Sequence, residues 1–462
     1  MMSRGTTFAV ALALTGCILV GQAAATTPGA TNNEQLIDRL QQLESETQAL
    51  RSELQRLQTQ PVPLPAVEGP QISTVSALAA QDDIEYFTWD ELRGEMKELA
   101  WTKGDYKIVP YGILWGTTTY ETSRTRIGDY TLWAISPDDE GEAAIHFNGK
   151  GTRLGIDVSG PQIPLFCCGN SGGKVEIDFE GNFAIENKPG VLLRHAYWEV
   201  KNDDFRFLMG QTWDVISPLN PKCLMYSVYW GAGNIGYRRA QVRYERYLQV
   251  TDAWKLDIQT SVNTDAASDF TVGGPSNGDH AEWPVIELRL GSTIGRCRPV
   301  SFGVWGHVGE EIFDFNFIDD DLRYGTWSVG ADLKVPITDR LGFQGEFFTG
   351  TNLKTFLGGV IQGVNIGGTN EAISSTGGWM NVYYDLTPRL HTALGYTVDD
   401  PSDADITTTR GRIYNEAVWG NVTYDVTKKF LIGFEVSRWK TEFAGQTPAE
   451  STRFEFAGKY AF

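Results

Sequence analysis

Beyond residue 25 the sequence contains no run of about 18 apolar residues, so it offers no helix oily enough to span a bilayer. Histidine (5), methionine (6) and cysteine (5) are all scarce. His146, His195, His280, His307 and His391 stand in no recognisable Ser/His/acid string, which leaves hydrolase chemistry without a signature. No cysteine spacing matches a zinc site. The acidic stretches "FIDDDLR" and "PSDAD" lack the spacing of a twelve-residue calcium loop and read as solvated loop charge. No metal or cofactor is expected. Basic residues are in deficit as well, 39 Lys and Arg against 58 Asp and Glu, for a net charge of −19. That excludes nucleic acid held on a general basic surface but leaves the charge of any local channel open.

What is abundant points elsewhere. Gly (50), Phe (23), Tyr (18) and Trp (14) give the composition of an all-β chain with short periodic segments. The N-terminus reads as an export signal: Arg4, an apolar core Phe8 to Val20, then small residues Ala23 to Ala25 for cleavage. "LTGC" offers a competing lipobox with Cys17 as the modified residue, although the apolar run continues past it through Val20. Either route takes the chain out of the cytoplasm. Cys167, Cys168, Cys223 and Cys297 would then meet an oxidising compartment, which makes them candidate loop staples.

Leucines at 36, 43, 50 and 57 fall seven apart, with Leu40 and Leu54 between them and Thr47 as a polar interruption. This pattern predicts a short α-helical coiled coil over 31–60, and through it self-association. A single amphipathic helix lying on its own domain is the alternative. "PVPLPAVEGP" ends the helix as a stiff linker, and Thr88 with Glu91 forms a capping box for a short helix within 61–105.

From Tyr106 the period changes to two and stays there. Val175, Ile177 and Phe179 oppose Lys174, Glu176, Asp178 and Glu180. Trp327, Val329, Ala331, Leu333 and Val335 oppose Thr326, Ser328, Gly330, Asp332 and Lys334. Ala240, Val242 and Tyr244 oppose Arg239, Gln241, Arg243 and Glu245, and Leu154, Ile156 and Val158 oppose Arg153 and Asp157. Tight connections ("NDD", "TDR", "LTPR", "VTKK") alternate with long polar ones ("DAASDFTVGGPSNGDHAE", "IQGVNIGGTNEAIS", "PSDADITTTRGR"). "WMNVYYDLTPRL" and "WGNVTYDVTKKF" echo each other as two copies of one hairpin.

About sixteen such strands, one face apolar and one charged, predict a transmembrane antiparallel β-barrel over 106–462 rather than a soluble sandwich. Charges in mid-strand suit a wet lumen, and an export signal suits the outer membrane. The terminal stripe Phe454, Phe456, Tyr460 and Phe462 becomes the lipid face of a last strand, with Glu455 and Lys459 turned inward. That strand must pair with the first to abolish the sheet edge.

Three strings in the middle of the chain, "LRHAYWEV", "FLMGQTWD" and "GYRRAQVRYE", with "TRLGIDV" upstream, resemble those of the DcaP-like outer-membrane porins. The resemblance is clearest from Gly151 to Glu245. It implies a sixteen-stranded homotrimeric barrel with a periplasmic N-terminal coiled coil and passive uptake of small anionic solutes such as dicarboxylates. The acidic balance, the Cys167-Cys168 turn and the long Cys223 loop depart from the pattern and bear on selectivity.

In a porin the selective elements are pore size and the charges at the constriction. The segment "DVISPLNPKCLMYSVYWGAGNIGYR" follows the third outward strand and is the candidate to fold into the lumen. Arg153, Glu176, Asp178, Arg194, Arg239, Arg243 and Glu245 are the candidate pore-lining residues, Arg194 lying in a strand that alternates poorly. The arginines form either a ladder that draws anions inward or one half of ion pairs with Glu176, Asp178, Glu180 and Glu245, and both can hold together. Rival readings are a non-conducting or cation-selective barrel that tethers the envelope, and a membrane-barrel hydrolase.

Overall fold

The computed structural model describes residues 100–164, 168–181, 185, 188–264, 279–280, 283–313, 322–365 and 369–462. The expected signal segment with Cys17, the leucine heptads, the Thr88–Glu91 cap and Cys167 lie outside the described residues.

Sixteen long strands form one antiparallel wall. They are β1 (Tyr106–Glu121), β2 (Arg153–Ile163), β3 (Gly169–Asp178), β4 (Leu192–Lys201) and β5 (Phe205–Trp213). Next come β6 (Arg238–Thr251), β7 (Trp254–Asn263), β8 (Val285–Ile294), β9 (Val300–Phe313) and β10 (Leu322–Pro336). The last six are β11 (Leu341–Thr351), β12 (Ser374–Thr387), β13 (Leu390–Pro401), β14 (Arg412–Thr427), β15 (Phe430–Phe443) and β16 (Ala449–Ala461). Each pairs with its neighbour in sequence, and β16 pairs with β1 from Ile113↔Ala461 to Glu121↔Arg453, which closes the sheet. Gly112 N donates to Phe462 O and Phe462 N to Gly112 O, both at 3.0 Å, so the final residue completes the seam. One half of β1 pairs with β2 and the other with a short strand, Ala144–Asn148, inside the first long connection.

Connections of two to five residues on one rim alternate with mostly longer ones on the other, the last of which, 444–448, is as short as a turn. The short turns share chemistry. Thr338, Thr387 and Thr427 each accept two backbone N–H groups with Oγ1, and the echoed hairpins are β12–β13 and β14–β15.

The two faces of the wall are inverted relative to a water-soluble protein. Val304, Phe347 and Leu394 point outward and are 54%, 55% and 64% exposed, whereas the inward Glu287, Asp399 and Asn415 are fully buried. Phe454, Phe456 and Tyr460 are exposed and Glu455 buried, as the terminal alternation predicts.

The lumen is packed with loop. Parts of the first (122–152), third (214–237) and sixth (352–373) long connections fold inward and bury apolar side chains against the inner wall. Ile216, Ile235, Leu353 and Phe356 meet Trp305 and Phe348 of the wall. Met225 and Tyr229 meet Trp419 and Trp439, and Tyr229 stacks on Trp419 at 4.2 Å between ring centres. The wall tryptophans 305, 379, 419 and 439 thus face the interior instead of a membrane interface. Among the described residues Cys168, Cys223 and Cys297 are free thiols, which corrects the expectation that they staple loops: they sit on separate turns and on the inward loop.

Candidate functional site

The third long loop, 214–237, is held by inward side chains of six strands. Val215 N donates to Glu287 Oε2 at 2.6 Å, Leu219 N to Glu346 Oε1 at 2.8 Å and Leu224 N to Glu435 Oε2 at 2.7 Å. Lys222 N donates to Asn381 Oδ1 at 3.1 Å, and Asn415 Nδ2 to Gly231 O at 2.7 Å. Thr397 Oγ1 donates to Ala232 O. The acidic wall is therefore occupied by loop amides, which satisfies backbone donors that a buried loop would otherwise leave orphaned. The sixth loop adds Leu357 O and Phe356 O as acceptors for Gly231 N and Gly236 N, both at 2.8 Å. Gly233, at φ +118°, lies so close to Gly378 O and Val398 O that any Cβ would collide with them. Val228 (φ 43°) and Tyr229 (φ 64°) hold left-handed conformations that a β-branched or bulky residue adopts at a cost, imposed by the packing around them.

Between this loop and β1–β5 and β16 lies a cavity of about 590 Å³, lined from the loop side by Met225, Tyr226 and Trp230. Its charged lining comprises three cations, Arg153, Arg194 and Lys459, and one carboxylate, Glu176. Arg194 Nε donates to Glu176 Oε1 and its Nη1 to Asp178 Oδ2, each at 2.7 Å. Its Nη1 also donates to Tyr226 Oη at 2.7 Å, and Tyr226 O–H donates to Asp178. Burial holds the Tyr226 phenol above its ordinary pKa, against the pull of Arg153 and Arg194, so it stays a donor. Burial likewise raises the Cys223 thiol and keeps it from acting as a thiolate.

Arg194 explains why its strand alternates poorly. The β3–β4 ladder pairs Glu176 with His195 and Ile177 with Leu193, so Arg194 is the extra residue of a bulge, and both Arg194 and His195 are buried on the inner side. The bulge turns a guanidinium between two carboxylates that a regular strand would have placed out of its reach.

Of the seven sequence-predicted residues, the cavity gathers Arg153, Glu176 and Arg194, with Asp178 behind Arg194. Arg239 stands apart: it is buried, pairs with Asp214 at 3.2 Å, donates to Thr355 O at 2.7 Å and lies 3.6 Å over the Phe356 ring. Arg243 pairs with Glu245 along β6 at 2.7 Å, and Arg206 joins the same carboxylate at 3.3 Å. The alternation assigned six of the seven to the inner face and left Arg194 ambiguous; the inner side holds all seven, but a face is not a pore. Cavity-lining residues that sequence reasoning did not assign to the site include Trp115, Tyr226 and Lys459, and Arg238 packs just outside the lining. Arg238 is buried over Trp213 (4.7 Å) and Tyr237 (4.8 Å). Their signal, an aromatic beside a basic residue on the inner face, is visible only once strand register is known.

Comparison with protein-family models gives no match, and comparison with curated proteins gives none. Solved structures do match. The outer membrane channel DcaP of Acinetobacter baumannii superposes with a TM-score of 0.62 at 20% identity, covering 78% of this chain and 99% of that one. An anion-selective porin from Comamonas acidovorans gives 0.51 at 12% identity, covering 77% and 100%. OprB of Pseudomonas putida gives 0.50 at 10% identity, covering 81% and 97%. The chain has the fold of the outer membrane channel DcaP, the protein type that its central strings resemble.

Proposed function

We propose that the chain is an outer-membrane porin through which small anionic solutes, dicarboxylates among them, diffuse passively. The observation that carries the reading is the charge of the cavity wall: Arg194 is neutralised by Glu176 and Asp178, and Arg153 and Lys459 remain as lining cations without an ion-pair partner among the described residues. The overall charge of −19 does not contradict it. Glu287, Glu346 and Glu435 are covered by the loop whose amides they accept, and the open side of the lumen is left to the basic wall. An outward face that is largely apolar, its outward strand charges such as Arg438 and Glu416 bonded to neighbouring side chains, supports residence in a membrane, and the alternation of short turns with mostly long loops supports an outer-membrane orientation with the short turns in the periplasm. The 31–60 heptads support self-association through a periplasmic coiled coil, and the resemblance to DcaP-like porins supports a homotrimer joined also by the barrel wall.

Single-channel recording in a planar bilayer under a salt gradient tests this. Stepwise conductance with a reversal potential on the anion side is expected, with concentration-dependent block by succinate. A silent barrel would sink the porin reading, and a cation-side reversal would sink the anionic-solute part alone. Native mass spectrometry of the detergent-extracted protein, expected to give a trimer, and N-terminal sequencing of the mature chain, expected to begin after Ala25, test the assembly and the export signal.

A further inference from the structure

We infer that Trp115 is a specificity-determining residue of this lumen: its indole holds Arg153 and Lys459 as two un-neutralised cations, a two-point grip for solutes carrying two carboxylates. The inference rests on the porin reading and goes a step further, to why this wall keeps its charge and which anions it prefers.

Strand register creates the arrangement. Trp115 on β1 stands directly opposite Lys459 on β16, and Arg153 on β2 stands opposite Ile113, two residues back on the same face of β1. One ring is therefore flanked by a cation from each neighbouring strand. Lys459 Nζ lies 3.5 Å from the Trp115 ring centre, and the Arg153 guanidinium carbon lies 5.6 Å from it and 5.2 Å from the Tyr226 ring. Tyr226 meets Trp115 edge-on, its ring centre 5.0 Å away at 65°, which pins the indole from the loop side.

Neither cation has an ion-pair partner among the described residues, although acids are near. Glu176 is engaged by Arg194 (2.7 Å) and by the Tyr111 hydroxyl (2.6 Å). Glu455, four residues before Lys459 on β16, stands 4.0 Å from Arg453. A cation on an aromatic face keeps its full charge, whereas one on a carboxylate presents almost none to a passing solute. The ring thus substitutes for a counter-ion without cancelling the field. Among the described residues Trp115 Nε1 has no hydrogen-bond partner, and the cations approach the ring face instead. A monoanion can satisfy one cation at a time. A dianion satisfies both, and the second attachment is intramolecular.

The test uses the full chain in planar bilayers and compares half-blocking concentrations of succinate and butyrate, which share a four-carbon chain. Succinate is expected to block wild type at a concentration at least about tenfold lower. Trp115→Leu lets both cations relax toward acids, and the succinate preference should shrink about fivefold, the equivalent of one exposed cation–π contact. Trp115→Phe keeps a ring face and should stay within about twofold of wild type. Lys459→Met retains the ring and provides a second route: it should reduce the preference similarly while butyrate block changes little. An unchanged ratio in both Trp115→Leu and Lys459→Met would overturn the inference. Anion-selective wild-type channels that do not distinguish the two solutes would overturn it and leave the porin reading intact, whereas channels that never open would overturn both.

Discussion

Replacing Glu435 by leucine should release the middle of the inward loop. The carboxylate on β15 accepts Leu224 N at 2.7 Å and Asn421 Nδ2 at 3.0 Å on one oxygen, and Tyr229 O–H at 3.1 Å on the other. Asn421 has a second acceptor in Lys222 O at 3.0 Å, so it is not orphaned by the change. The Leu224 amide and the Tyr229 hydroxyl are. Each buried donor left unpaired costs about 1–3 kcal/mol, so the loop loses roughly 2–6 kcal/mol relative to its open form. Amide exchange at Leu224 should then accelerate by roughly 30-fold to 10⁴-fold. Glu435→Gln is the matched control. Its amide oxygen can keep Leu224 and Asn421, and its NH₂ can turn to Tyr229, whose hydroxyl also accepts, so exchange should stay within about fivefold. Hydrogen exchange read by mass spectrometry on the detergent-solubilised protein measures both, and single-channel records should show larger, noisier conductance for the leucine variant. Leucine exchange as slow as glutamine exchange would refute the idea that wall carboxylates hold the constriction.

Arg194→Ala leaves Glu176 and Asp178 without their buried cation, and the thermal midpoint in detergent should fall by the equivalent of about 3–5 kcal/mol; Arg194→Lys should recover only part, since one ammonium cannot span both carboxylates as the guanidinium does. Arg153→Ala should lower anion preference at least about twofold in salt-gradient reversal potentials, whereas Arg239→Ala, its side chain sealed beneath two loops, should leave that potential unchanged while weakening the loop seal. Glu180, between β3 and β4, bonds Lys150 at 3.1 Å, and Lys150 also holds Asp129 at 2.9 Å. Burial pushes the Glu180 carboxyl up to about 7, despite Lys150. Because the folded value lies above the free one of 4.5, the stability this site contributes is fully present below about pH 4.5, with the carboxyl neutral, and is lost as pH rises to about 7, levelling off above; exchange protection near Lys150 should fall across that window, and Glu180→Gln should flatten it. Gly112→Val would drive a side chain into the Phe462 ring at the β1–β16 seam, so the folded, heat-modifiable fraction on refolding should drop sharply.

Legibility followed the chemistry of each element. Two-residue alternation in "KVEIDFEG" or "YGTWSVGADLKVP" is enforced by the backbone itself, so which residues face in and which face out could be read locally, and with it strand number and barrel closure. The inward loop was legible from its length and its place after the third outward strand. Trp419 and Trp439, in contrast, look in sequence like interfacial girdle residues, and only their contact with Tyr229 shows that they hold a loop. Arg194 defied its period because a bulge is a property of two strands in register and not of one string. Arg153 and Arg239 were alike in sequence, two arginines on inner faces. One now lines the cavity and the other is sealed beneath Phe356.

By itself, then, the sequence determined a closed sheet with an apolar exterior and a charged interior, because side-chain direction along a strand depends on the next few residues alone. Which interior charges meet a solute was decided by the tertiary structure. Loops from distant parts of the chain cover the carboxylates of one wall, and neighbouring strands bring Arg153 and Lys459 onto one indole, so the same inward charge is neutralised in one place and exposed in another.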